Sequence, residues 1–209
     1  MHRLLFVTSS LFAENSKSRL IGAEFVAAWR QAHPGTTVVE RVLSADSIPH
    51  LTQATFTAAS TPTESRSAEQ QAEAAFADAL IEELEAADVI VIAAPMYNFT
   101  ISSTLKAWLD HVVRAGRTFS YTAAGPEGLL RDKKVFVTTA RGGVYSAGSP
   151  GNALDFQEPY LRVILGFVGL TDVTFVHTEG LARGPDSAER GLAEARRAVA
   201  ALVPAARAA

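Results

Sequence analysis

Five short apolar runs rich in β-branched residues, separated by segments of helical period, constrain this chain more than any other feature. The runs are 4–7, 38–43, 89–93, 135–139 and 173–176. Most lack the strict alternation of a half-solvated strand, which is the pattern of strands covered on both faces. Between them, Ile21, Phe25, Ala28 and Trp29 share one helix face, and Ala72, Phe76, Ala79, Leu80 and Leu84 share another. Ile101, Leu105, Trp108, Leu109 and Val112 repeat the spacing, as do Ala188, Leu192, Ala195, Val199 and Leu202. Asp186 and Glu189 read as a capping box for the last helix, and 161–168 as a more buried one. Strand–helix alternation predicts an α/β three-layer sandwich, a parallel sheet with helices on both faces and right-handed crossovers.

Five strands fit the flavodoxin-like order 2-1-3-4-5 within one domain spanning 1–209. Two stretches exceed the minimal alternation. Residues 44–66 form a Ser/Thr/Ala-rich connection long enough to cover a site or meet a partner chain, and 117–130 reads as a small hairpin or irregular excursion. The 209 residues include no cysteine, so thiol chemistry, Cys-ligated zinc and iron–sulfur clusters are excluded, and redox function would need an organic cofactor. The five histidines lack metal-ligand spacing; His111 is placed on a helix surface and His177 at a strand end. No metal is expected. A net charge of −3 carries no nucleic-acid signature. No apolar run approaches a membrane span or a signal peptide, which makes the cytoplasm the expected location.

In a sheet of this order, ligands bind beyond the strand carboxyl ends where the order reverses, so the loops after strands one, three and four matter most. The first loop, Ser9 to Ser18, leads into a helix whose free N–H groups and dipole suit a phosphate. Ser10, Ser16 and Ser18 offer hydroxyls and Lys17 a cation, although Ser16 or Ser18 also fits a simple helix cap. With neither G-x-G-x-x-G nor a Walker lysine, dinucleotide and nucleoside-triphosphate loops are disfavoured. The second loop, Pro95-Met96-Tyr97-Asn98-Phe99-Thr100, puts apolar groups where a surface loop is usually polar. A flat heterocycle explains them; packing under a loop or at a dimer contact also would. The third, Ala140-Arg141-Gly142-Gly143-Val144-Tyr145, is either a plain turn or a nest of backbone N–H donors. A phosphate site, an apolar platform and a donor nest on converging loops are the parts that FMN needs.

The segment Ala94-Pro95-Met96-Tyr97-Asn98-Phe99-Thr100-Ile101-Ser102 resembles bacterial FMN-dependent NADH azoreductases and quinone oxidoreductases. So do Arg114-Ala115-Gly116, Thr118-Phe119, Gly125-Pro126-Glu127-Gly128-Leu129, Ala140-Arg141-Gly142-Gly143 and Leu165-Gly166-Phe167-Val168-Gly169. The resemblance runs over nearly the whole chain. It implies a homodimer with FMN at the interface, passing two electrons from NADH to quinones or azo compounds by ping-pong hydride transfer, with NADPH left open as a donor. By the same resemblance, Ser10 and Ser16-Lys17-Ser18 would surround the phosphate. Met96, Tyr97, Asn98 and Phe99 would border the ring and ribityl chain, and Ala140, Arg141, Gly142 and Gly143 would meet the pyrimidine edge. Asn98, Phe119, Tyr121 and Tyr145 would wall the substrate pocket, with no side chain an obligatory acid or base. Two positions depart from the family pattern: Ala140 stands where Ser is common, and Tyr145 where His is. The alternative activity is a flavodoxin-type carrier of single electrons between proteins, which a strongly acidic docking face would mark; the charge here is near neutral.

Overall fold

Alternate residues of a strand point to opposite faces, and that rule sorts this core into two clusters. The computed structural model describes residues 2–12, 15–44 and 48–203. Parts of the first loop (13–14), of the 44–66 connection (45–47) and of the Ala-rich tail (204–209) lie outside them. Five strands form one parallel sheet: β1 (Arg3–Thr8), β2 (Thr37–Val42), β3 (Val89–Pro95), β6 (Lys134–Ala140) and β7 (Asp172–Thr178). Their spatial order is β2-β1-β3-β6-β7, which is the expected 2-1-3-4-5 counted among the strands of this sheet. Leu5, Val7, Ile90, Ile92, Val135 and Val137 face one way, and Leu4, Phe6, Val89, Val91 and Phe136 the other.

The first face is covered by α3 (Ala68–Ala86), α4 (Ser103–Val112) and α5 (Gln157–Phe167), whose Leu80, Leu84, Trp108 and Leu161 join its core. The second is covered by α1 (Lys17–Ala32) and α6 (Pro185–Leu202), through Ile21, Phe25, Trp29, Ala195 and Val199. Gly22 brings α1 unusually close, since a Cβ there would sit 2.8 Å from the Phe6 ring and 3.1 Å from Thr138 Oγ1. Strand β2 is the exception to double coverage: it lies at the sheet edge, and Val38 and Val39 are exposed.

Several expectations need correction. In α3 the buried face is Ala74, Ala77, Leu80, Ile81 and Leu84, leaving Phe76 half-exposed against the His111 ring. His111 is buried, because α2 (Gln53–Ser60) and its approach fold over α4 and the Pro49 carbonyl meets His111 Nε2 at 2.8 Å. So the 44–66 connection is partly helical. Helix α5 is amphipathic rather than more buried, with Val163 exposed. The Asp186–Glu189 capping box is absent; Gly184 precedes the helix and Pro185 opens it, needing no N–H there. The 117–130 excursion is a hairpin of β4 (Phe119–Thr122) and β5 (Gly125–Gly128), seated on α5 through the Phe119–Phe167 contact at 4.5 Å.

Candidate functional site

Parallel register brings the strand ends level: Thr8 pairs with Ala93, Ala94 with Thr139, and Ala140 with Thr178. The loops that follow β1, β3 and β6 therefore open on one edge of the sheet. Ser9 ties the first to the sheet, its Oγ and N–H both donating to the Ala93 carbonyl, at 3.0 and 3.1 Å. Ser16 is the N-cap of α1, accepting from the Arg19 N–H at 3.2 Å, and its Oγ lies 3.1 Å from Ser18 Oγ. Capping uses one donor of the first turn. The N–H groups of Ser16, Lys17 and Ser18 give no hydrogen bond among the described residues, and the turn holds no acidic side chain. That leaves a cluster of donors and positive dipole suited to an anion, with Lys17 exposed beside it. Ser10 is buried, and its Oγ accepts the Phe12 N–H at 3.2 Å.

The second loop is a tight reversal. Tyr97 and Thr100 exchange both backbone hydrogen bonds, at 2.9 and 3.0 Å, around Asn98 and Phe99 at φ 47° and 70°. Two successive positive φ values are the geometry of a type I′ turn. Asn tolerates it; for Phe it is strained, at roughly 1–3 kcal/mol. The strain holds Asn98 and Phe99 exposed at the mouth of the loops. The Tyr97 hydroxyl accepts the Leu11 N–H at 3.3 Å, joining this turn to the first loop. Behind it, Leu11, Tyr97, Asn98, Ile101, Lys106 and Tyr160 border a cavity of about 620 Å³.

The third loop is fixed along one side. Arg141 donates its N–H to Thr178 O at 2.8 Å, and the carbonyls of Arg141, Gly142 and Gly143 accept from Leu181, Ala182 and Gly180. The N–H groups of Gly142 and Gly143 have no partner among the described residues, so the loop offers two adjacent donors. Tyr145 lies across them: a Cβ on Gly143 would sit 2.9 Å from its hydroxyl, and its ring meets Phe99 edge-on at 6.3 Å.

Beneath this loop is a polar knot. The Arg141 side chain is fully buried, its Nη1 3.0 Å from Asp155 Oδ2 and 3.2 Å from Glu179 Oε1, its Nε 3.1 Å from Gln157 Oε1. Burial opposes ionisation of Glu179, but the Ser146 hydroxyl, the Tyr145 N–H and Arg141 outweigh it and hold the carboxyl below its ordinary value. Burial and the Arg141 charge lower His177, outweighing its carboxylate neighbours. A neutral imidazole there donates from Nε2 to Glu158 at 2.8 Å and accepts the Thr139 hydroxyl on Nδ1 at 3.0 Å.

The structure thus brings Ser10, Ser16, Lys17, Ser18, Met96, Tyr97, Asn98, Phe99, Ala140, Gly142, Gly143 and Tyr145 to one edge. Arg141 shares the loop but turns its side chain inward. Phe119 and Tyr121 do not line the cavity behind the second loop: they line a groove of about 670 Å³ beside α2, α4 and α5 that shares Lys106 and Tyr160 with it. Asp155, Gln157 and Glu179 were not singled out from sequence. Glu179 follows the last strand directly, and its place at a fifth strand end is the signal that was available. No group of three or more potential metal ligands occurs among the described residues.

Comparison with known proteins agrees with this geometry. A family model described as a flavodoxin-like fold matches residues 2–203. The FMN-dependent NADH:quinone oxidoreductase 3 of Pseudomonas aeruginosa is 50% identical over 94% of this chain and 90% of its own length. The FMN-dependent NADH:quinone oxidoreductase of Paraburkholderia phymatum is 53% identical over 96% of this chain and 100% of its own. The crystal structure of an azoreductase from Bacillus anthracis superposes with a TM-score of 0.88 at 32% identity, covering 97% of this chain and 99% of that one. Its three converging loops, its sheet order and its similarity over nearly full length place the chain in the flavodoxin-like family of FMN-dependent NADH:quinone oxidoreductases.

Proposed function

We propose that this chain is an FMN-dependent oxidoreductase that carries two electrons from NADH to a quinone or an aromatic azo acceptor. The observation that supports it best is the convergence, at one sheet edge, of free N–H groups on α1, a strained aromatic turn and two free glycine amides. These residues fit the cofactor part by part. The first turn of α1, with the Ser16 and Ser18 hydroxyls, takes the phosphate; Lys17 adds charge from solvent. Met96 to Phe99 border the ring. The Gly142 and Gly143 amides would be the donors for its pyrimidine edge, and would favour negative charge there in the manner of an oxyanion hole.

Bound FMN supplies the two-electron redox chemistry; the chain binds, orients and shields. In this reading NADH and acceptor take turns at one slot bordered by Asn98, Phe99 and Tyr145. No side chain there is placed as an obligatory acid or base, and solvent supplies protons. The reading includes a homodimer with the FMN sites at its interface, which brings the partner's hairpin toward the slot. In support, Phe56 and Tyr121, 60% and 76% exposed, line the groove of α2, α4 and α5, and Phe156 and Val163 are exposed just before and on α5. The Phe156 N–H donates to Phe99 O at 3.1 Å, which joins the start of α5 to the second loop. No described helix is long and apolar enough to cross a membrane, and the cytoplasm is the location we assign.

Steady-state turnover of NADH with a small quinone tests the shared slot. Parallel double-reciprocal lines at several fixed quinone concentrations are expected. Intersecting lines would mean that both substrates are bound together and would overturn it.

A further inference from the structure

Arg141 presents no polar group at the surface, and its Nη2 is buried without a partner among the described residues, yet it sits in the middle of the loop that should meet the flavin. Its N–H and carbonyl are engaged with Thr178 and Leu181, and its guanidinium is fully buried. We propose that Arg141 is a positioning residue for the flavin site, holding the Gly142–Gly143 amides, Tyr145 and the Asn98–Phe99 turn from beneath. The inference rests on the FMN reading above and assigns Arg141 a role within it that does not involve touching the cofactor.

The connections run outward from the guanidinium to each part of the site. Through Glu179 Oε1 it reaches the Tyr145 N–H, at 2.9 Å, and the other oxygen of Glu179 accepts the Ser146 hydroxyl. Through Gln157 it reaches the end of β3, because Gln157 Nε2 donates to Ala94 O at 3.0 Å, two residues before Met96. Through Asp155 it reaches α5, whose first N–H groups at Gln157 and Glu158 donate to Asp155 Oδ1 at 2.9 and 3.1 Å. Phe156, between Asp155 and Gln157, donates its own N–H to Phe99 O at 3.1 Å. One cation thus ties the end of β3, the aromatic turn and the residue over the nest to a single node.

The electrostatics couple the parts of the node. Asp155 and Glu179 flank one guanidinium, and His177 beside them is neutral, so Arg141 is the one cation among the described residues that faces both carboxylates, beside the N–H and hydroxyl donors each also has. Without it, two buried like charges repel, and Glu179 releases the Tyr145 N–H to find water. A lysine keeps the charge but loses the planar fork that contacts Gln157 and both acids at once. Tyr145, which lies over the glycine amides, then loses its anchor, although the carbonyls of Gly142 and Gly143 stay bonded to Ala182 and Gly180.

The test uses apoprotein and FMN, with Arg141→Lys, Arg141→Gln and Glu179→Gln, and Ile81→Val as a control weakened in the core far from the loops. Three quantities are read: FMN Kd by fluorescence titration, the shape of the bound flavin's visible band, and Tm. The expected result is a rise in FMN Kd of about tenfold or more for Arg141→Gln, with partial recovery in Arg141→Lys. Glu179→Gln should alter the flavin band while the far-ultraviolet dichroism stays native, and Ile81→Val should lower Tm at unchanged Kd and band. If Arg141→Gln does not fold, Arg141→Lys and Glu179→Gln carry the test. Variants at Arg141 and Glu179 that lose Tm but keep the wild-type Kd and band would reduce the knot to a structural brace and overturn the inference alone. A wild-type chain that ignores FMN would overturn the flavin reading and this inference with it.

Discussion

Phe99 shows at a single residue how this site trades stability for exposure. Its φ of 70° costs energy that Gly would not pay, and its ring is 43% exposed, so burial returns little. Phe99→Gly is therefore expected to stabilise the chain to urea by about 1 kcal/mol while weakening FMN binding. A destabilised variant with wild-type FMN affinity would show that the ring is ordinary packing. Tyr145 carries a second residue-scale prediction. Its hydroxyl lies against Gly143, where it offers only a neutral donor. In Tyr145→His, a protonated imidazole would stabilise negative charge beside the nest by about 1.5–3 kcal/mol. For a two-electron couple that raises the flavin midpoint potential by about 30–60 mV below the histidine's pKa, and the gain fades above it. Potentiometry at pH 5.5 and 8, pH values on either side of about 6.5, checks it.

At the scale of elements, α1 must seat closely for its first turn to face the other loops. Gly22 permits the approach to Phe6, and Thr138 Oγ1 fixes the turn by donating to Ser18 O at 2.9 Å. Gly22→Ala gains up to about 1 kcal/mol of helix propensity but overpacks the α1–sheet contact by about 1–3 kcal/mol. A net loss of stability in urea is expected, with weaker FMN binding as the phosphate turn shifts; a stabilised protein with unchanged affinity would refute the close-seating argument. Elements were also where sequence was most readable. The runs at 4–7, 89–93 and 135–139 are central strands buried on both faces, so hydrophobic pattern alone located them. The face of α3 was misread because Ala-rich helices show little contrast between sides, and Phe76 proved to be half-exposed. His111 was misread because a connection from residues 44–66 folds over it, a long-range event that leaves no local trace. In the site, Ser16 to Ser18 and Gly142-Gly143 were legible because loop chemistry is local. The Arg141 knot was not, since its partners lie 14 to 38 residues away and meet only after β7 and α5 are in place.

At the scale of the molecule, the proposed reading places the FMN sites between two copies. The hairpin residues Phe119 and Tyr121 do not reach the Asn98–Tyr145 slot within one chain, while the apolar groove beside them remains open. Val163→Glu, on the exposed side of α5, is expected to shift the protein from dimer to monomer in sedimentation and to cut turnover, with the fold retained. An active monomer would refute the interface site. That this protein binds FMN and takes electrons from NADH without a different protein as partner has a direct test. Purified protein loaded with FMN is mixed anaerobically with NADH, and the visible flavin band is followed before and after a quinone is added. The account predicts rapid bleaching by NADH alone and full return of the band on addition of the quinone. A chain that binds FMN but leaves its band unchanged in NADH would contradict it, and would point instead to a carrier that receives its electrons from another protein.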